Sequence, residues 1–311
     1  MSGTVAIIGA GRVGSCSAFA LQTGGVGREI LLLDVDEKTL KGESLDLRHG
    51  ASLASPQRIR TANFSGLAAC DIIVITAGVR RLPGESRLEL TGRNVALLQG
   101  ILWEVKGVGL RDDAMLVVVT NPVDILTHVA ATYGIAPHER VIGTGTMLDT
   151  ARFRSLLAEQ LECDPTAVSA LVIGEHGDTM VPVWSTVQVN GAPLTAFPQF
   201  GAKQREAVFS MVRGAGNEIN TLKGGSGFAI GLVVRELVRA ILADSRAVLP
   251  VSTMQNAAYG LREVSLSVPT IIGRAGVIKQ IEIPLSAEEI AALRRSADTL
   301  RETLAGLPKR C

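Results

Sequence analysis

Four uninterrupted apolar runs, at 5–8, 30–33, 72–76 and 115–120, mark the first half of the chain, and each ends in polar or glycine-rich residues. Runs without polar alternation fit strands covered on both faces, as in a parallel sheet. Amphipathic stretches at 13–21, 40–47 and 88–105 separate them. This β-α-β order predicts a doubly wound parallel sheet of the Rossmann type. Right-handed crossovers would bring the C-terminal ends of all four strands to one edge. Residues 9–14, Asp34, 78–87 and Asn121 fall there, so that edge is the expected ligand crevice.

After about residue 145 the pattern changes to helices at 148–161, 204–222 and 228–242, mixed with antiparallel-looking strands at 170–173, 183–189, 266–272 and 279–283. The expected organisation is an α/β cofactor domain, 1–144, followed by an α+β substrate domain, 145–311. No linker-like run divides them. A final helix opens with the capping-box pair Ser286 and Glu289 and lines up Ile290, Leu293, Leu300 and Leu304 on one face. It is expected to close the fold without taking part in chemistry.

Composition narrows the functions available. With 47% apolar and 20% charged residues over 311 positions, the chain has ample material for a core. Its 31 Lys and Arg nearly cancel 30 Asp and Glu, which leaves no basic field for nucleic acid or an anionic membrane. Charges, glycines and prolines interrupt every apolar run well short of the ~20 residues of a membrane span. Cys16, Cys70, Cys163 and Cys311 form neither metal-ligand spacing nor a disulfide framework, and no secretory leader precedes the first strand. A cytoplasmic protein without a metal, recognising a small molecule, is the expectation.

The segment Gly9-Ala10-Gly11-Arg12-Val13-Gly14 matches G-x-G-x-x-G where a strand passes into a helix. Gly9 permits the tight turn, Gly11 lets the backbone approach a pyrophosphate at the helix N-terminus, and Gly14 allows close helix-strand contact. Asp34 follows the second strand, 20 residues after Gly14, placed to accept hydrogen bonds from ribose hydroxyls. Its charge would repel a 2′-phosphate, so NAD is expected rather than NADP.

Four further segments belong together: 77–87, 120–124, 148–154 and Ile173-Gly174-Glu175-His176-Gly177-Asp178. With these the chain resembles the lactate/malate dehydrogenase family, from the glycine motif to Leu266-Ser267-Val268-Pro269 and Ile281-Glu282-Ile283-Pro284-Leu285. The residue chemistry agrees, because a nicotinamide carries hydride but not the accompanying proton. A group titrating near neutrality must handle that proton, and His176 is the best placed histidine. The resemblance implies that Asp149 pairs with His176, that Arg152 binds the substrate carboxylate, and that Arg87 on a mobile loop polarises the substrate carbonyl. It implies that Asn121 contacts substrate or nicotinamide and precedes a cis bond to Pro122. Thr76, Ala77, Gly78, Asn94 and Val119 would line the cofactor beside Arg12 and Val13. A silent NAD-binding protein would need none of His176, Asp149, Arg152 and Arg87, and all four are present. A homotetramer or homodimer is implied as well.

Substrate choice is expected to turn on Arg81, six positions before Arg87, where lactate enzymes of the family generally carry Gln and malate enzymes Arg. A cation there suits the second carboxylate of malate, and Ser226, at a position usually Thr in lactate enzymes, leaves room for the longer acid. A malate dehydrogenase, with a place in the tricarboxylic acid cycle, is therefore the expectation, with L-lactate or dual specificity as the alternative. The segment Gly84-Glu85-Ser86-Arg87 looks like the lactate-enzyme loop, and Glu85 folding back on Arg81 would weaken the distinction. Pro83-Gly84 could serve as a hinge. Lactate enzymes activated by fructose bisphosphate pair an arginine, here Arg154, with a histidine where this chain has Ser169, so no such activation is expected.

Overall fold

The computed structural model describes residues 2–80, 82 and 84–307. The first half alternates β1 (Thr4–Ile8), α1 (Arg12–Thr23), β2 (Glu29–Leu33), α2 (Glu37–His49), β3 (Arg58–Thr61), β4 (Ile72–Ile75), α3 (Arg87–Val108), β5 (Met115–Val118), α4 (Val123–Thr132) and β6 (Val141–Gly143). These strands run parallel in the order β3-β2-β1-β4-β5-β6. The apolar runs are continuous because both faces are covered. Ala6, Ile8, Leu31, Leu33, Ile73, Ile75, Leu116 and Val118 face one buried core, while Val5, Ile7, Ile30, Leu32, Ile72, Val74, Met115 and Val117 face another. That division is the two-residue strand period, written into two cores.

The order of strands reverses between β1 and β4, which opens the crevice at their C-terminal ends. Sequence patterning missed β3 and β6. β3 is short and largely exposed, Arg58-Ile59-Arg60-Thr61 with Ile59 alone buried, so it carries no apolar run.

Beyond β6 come α5 (Met147–Leu161), β7 (Val168–Ser169), β8 (Val172–Ile173), β9 (Val181–Pro182), β10 (Gln188–Val189), β11 (Ala192–Pro193), α6 (Ala202–Lys223) and α7 (Phe228–Leu242). A third core gathers around Phe153, whose ring meets Trp184 edge-on at 4.8 Å. The run at 183–189 is not one strand: a 3-10 turn, Trp184–Thr186, precedes the two residues of β10.

The long strands β12 (Ala247–Asn256), β13 (Arg262–Gly273) and β14 (Gly276–Gln280) do not form a separate sheet. They extend the parallel one through the antiparallel pairing of Ser252 with Gly143, giving nine strands. Likewise α7 buries Val233, Val234, Leu237, Val238 and Ile241 in the core that β1 faces. Its Gly231 permits the close approach, since a Cβ there would lie 2.6 Å from the Cys16 carbonyl oxygen of α1. The last helix, α8 (Ala287–Ala305), carries the expected capping box and buries Leu293 and Leu300. No helix among the described residues is long and apolar enough to cross a membrane.

Candidate active site

The glycine turn is built as its sequence requires. Gly9 has φ +105°, and a Cβ on it would stand 2.6 Å from the Ala77 nitrogen, so only glycine fits between β1 and the end of β4. A Cβ on Gly14 would lie 1.8 Å from the Gly9 carbonyl oxygen. Gly11 faces open space at the N-terminus of α1, whose first amides receive no side-chain cap. An uncapped helix start beside a residue with no Cβ is a cradle for an anion. Asp34 closes one side, its carboxylate accepting the Ala10 N–H at 2.6 Å and the Asp36 N–H at 2.9 Å, with lone pairs left for a ribose. These features fit a dinucleotide with its pyrophosphate at Gly11.

The rest of the predicted lining converges on the same edge. Thr76 donates its hydroxyl to the Gly9 carbonyl at 2.7 Å, Asn94 is buried and accepts the Val79 N–H at 2.9 Å, and Val119 is buried after β5. Gly78 abuts Thr120, where a Cβ would come within 2.6 Å of the Thr120 methyl. Arg12 reaches away from the cradle to the carbonyls of Lys223 and Gly225, which ties the α1 start to the segment bearing Ser226. Val13 is half-buried behind it.

Asp149 lies in the first turn of α5, fully buried, and its Oδ2 stands 2.5 Å from His176 Nδ1. Its Oδ1 accepts Arg152 Nη1 at 3.1 Å, one helical turn on. The His176 side chain keeps 21% of its surface open, so the imidazole is anchored on one side and exposed on the other. Burial disfavours its cation, but the Asp149 charge and hydrogen bond, with Asp124 further off, hold the imidazole above its ordinary value. A carboxylate partner that favours the imidazolium suits this histidine to holding and passing on a proton.

Arg87 is the first residue of α3, placed by a capping box between Ser86 and Glu89. Its guanidinium meets Asp178, two residues past His176, at 2.5 Å, with both side chains mostly exposed. The α3 start thus stands at the mouth of the histidine site. Asn121 sits after β5 and joins Pro122 through a cis peptide bond, as the resemblance implies. Arg81 and Pro83 lie outside the described residues, so neither the expected carboxylate contact, the Glu85 contact with Arg81 nor the hinge is described. Glu85 itself is buried, accepts the Leu82 N–H at 2.8 Å and pairs with Arg93 at 2.8 Å. Those contacts, the backbone one first, hold its carboxyl below the usual range.

Three supporting residues escape sequence patterning. Asp124 Oδ2 accepts the His176 backbone N–H at 2.6 Å. Ser296 Oγ, on α8, accepts the Glu175 N–H at 2.7 Å, and Glu175 in turn holds Thr179. The terminal helix therefore does more than close the fold. Asp178 belongs to the histidine motif, yet its position alone does not reveal its pairing with Arg87.

Comparison with known proteins identifies the family. The profile of the lactate/malate dehydrogenase NAD-binding domain matches residues 4–143, and that of the family's alpha/beta C-terminal domain matches 146–307. The chain belongs to the lactate/malate dehydrogenase family. It is 42% identical over 308 residues to an L-lactate dehydrogenase of Gloeobacter violaceus, covering 97% of this chain and 92% of that protein. It is 41% identical over 309 residues to the L-lactate dehydrogenase of Salinibacter ruber, covering 98% and 97%. The fold superposes with a TM-score of 0.94 on the minor L-lactate dehydrogenase of Enterococcus mundtii, at 33% identity over 99% of each chain.

These findings correct the malate expectation and its link to the tricarboxylic acid cycle, since the relatives matched over nearly the full length are named L-lactate dehydrogenases. The expectation rested on the charge of one side chain, Arg81. One position is a poor measure of the net charge that a pocket lined from several segments presents to a substrate. The nicotinamide-dependent dehydrogenase chemistry stands unchanged.

Proposed function

We propose that the protein is an NAD-dependent L-lactate dehydrogenase, reversibly reducing pyruvate to lactate. Full-length similarity at 41–42% identity to proteins of that name carries the reading. NAD, when bound at the Gly9 to Gly14 cradle with its ribose at Asp34, supplies or accepts the hydride.

The chain's own residues handle everything else. Arg152 would bind the substrate carboxylate with its planar fork, a geometry that a lysine cannot copy. His176 would give its proton to the carbonyl oxygen during reduction and take it back during oxidation, while Asp149 keeps the proton-bearing nitrogen oriented and favours the imidazolium. Arg87, released from Asp178, would turn its charge to the same oxygen as negative charge develops there. Asn121 and Ser226 line the substrate side. Closure of the segment before α3 over this group would exclude water and strengthen each contact.

The cofactor domain would end at 144 and the substrate domain begin at 145, in a cytoplasmic homotetramer or homodimer without fructose bisphosphate activation. The described cysteines Cys16, Cys70 and Cys163 are free thiols, which suits a reducing compartment. Arg154 donates its Nε to the Ala170 carbonyl at 2.9 Å, which turns it inward from a surface effector. The test is pyruvate-dependent NADH oxidation with lactate identified as product. Activity that survives His176→Gln undiminished would remove the proposed proton donor.

A further inference from the structure

Directly behind the histidine lies Asp124, in the first turn of α4 and 2% exposed. One carboxylate oxygen holds the His176 backbone N–H at 2.6 Å. The other, Oδ1, is buried, as are Thr127 Oγ1 one turn along α4 and Ser252 Oγ on β12. Thr127 and Ser252 both close on Gly143 of β6, where a Cβ would lie 2.2 Å from Thr127 Oγ1 and 3.0 Å from Ser252 Cβ. The Ser252 hydroxyl also bears on the Asp124 carboxyl. Burying a carboxylate costs more than burying a neutral amide, and an asparagine could hold the same N–H while donating to the Ser252 hydroxyl. A carboxyl group at this place needs a further reason.

We propose that Asp124 is a positioning residue for His176, a second carboxylate that fixes the catalytic loop through its backbone and adjusts the imidazole charge from behind. The inference rests on the reading of His176 as the proton-transferring group. Burial pushes the Asp124 carboxyl up to about 7, against the opposing pull of Ser252 and of the His176 backbone and charge. Asp124 and His176 act on each other's charge, the carboxylate favouring the imidazolium and the imidazolium favouring the carboxylate. As Asp124 becomes an anion it favours the imidazolium, extending the proton-donating form to higher pH.

The charged surroundings are mixed. Glu175, on the histidine loop, opposes ionisation of Asp124. Asp149 and Arg152 of α5 act on the imidazole with opposite signs. Arg87 of α3 and Asp178 pair at the mouth. On α4 itself, burial holds His128 below its ordinary value, with Glu263 of β13 opposing.

The test titrates His176 by NMR in the unliganded protein with ¹³C-labelled histidine, its signal assigned among the four by loss in His176→Gln. Asp124→Asn keeps an acceptor for the backbone N–H and removes the charge. Its His176 midpoint should fall by about half a unit, less than the ~1–3 units of a directly contacting carboxylate. The upper pH limb of pyruvate reduction should move down with it, while the low-pH plateau stays. Ser252→Ala, which withdraws support from the anion, should move both in the same direction by less, and it carries the test alone if Asp124→Asn does not fold. An unmoved midpoint in the folded variant overturns the proposal. A parent protein whose His176 titrates while pyruvate is not reduced overturns the proposed function instead.

Discussion

Replacing Asp149 with Asn puts the catalytic pair to a quantitative test. The amide keeps the shape of the carboxylate 2.5 Å from His176 Nδ1 and can still accept its N–H, but brings no charge. Asp149 is fully buried, so water does not replace what is lost. A contacting carboxylate moves its neighbour by ~1–3 pKa units, equivalent to about 1.4–4 kcal/mol, or about 10- to 1,000-fold in the population of the imidazolium. The sign follows from the direction of the shift. His176 lies above its ordinary value because of Asp149, so the variant releases its proton at lower pH. Pyruvate reduction needs the protonated imidazole, so kcat/KM at pH 7 should fall and partly recover on acidification, whereas lactate oxidation, which needs the neutral ring, should suffer less. Steady-state rates in both directions between pH 5 and 9 read this. Asp149 also holds Arg152, so affinity for oxamate, a pyruvate isostere, is measured alongside to separate lost binding from lost proton transfer. A folded Asp149→Asn enzyme within about threefold of the parent, under ~1 kcal/mol, with an unmoved pH limb would refute the pairing.

Arg152→Lys should raise KM for pyruvate about tenfold or more, the fork being lost while the charge remains, and an unchanged KM in initial-rate assays counts against Arg152 as the carboxylate anchor. Gly14→Ala places a methyl 1.8 Å from the Gly9 carbonyl oxygen, so the turn must open. A loss of about 3 kcal/mol in thermal or denaturant unfolding, with weakened NADH binding by fluorescence titration, is expected; NADH affinity equal to the parent's would contradict the cradle. Ser296→Ala leaves the Glu175 N–H without its acceptor, costing about 1–3 kcal/mol, and kcat should fall with Tm if α8 steadies the histidine loop. A change in Tm alone would confine Ser296 to folding.

Legibility in the sequence followed how local each signal was. The parallel strands and the glycine turn were readable because a buried run, a helix start and Asp34 at a set distance each leave a local trace. Asp149 and Arg152, one turn apart on α5, could be assigned by resemblance, and Asp149 contacts both His176 and Arg152. Pairings made across the fold left no such trace. Ser252 meets Gly143 over more than a hundred residues of chain, so the joining of β12 to β6 into one sheet was not visible. Ser296 and Glu175 are similarly distant. Asp124 follows a strand end in a polar segment where many roles are open, and only its contact with the His176 amide singles it out. Arg81 shows the opposite failure: a clear local signal, a cation where a neutral residue is common, was asked to decide a property that depends on the net charge of the whole pocket.

The most direct test is kcat/KM for NADH oxidation with pyruvate and with oxaloacetate, measured over concentration series at one pH on the same preparation. A clear preference for pyruvate is expected of an L-lactate dehydrogenase. A clear preference for oxaloacetate would contradict the proposed function and return the choice of substrate to the second carboxylate.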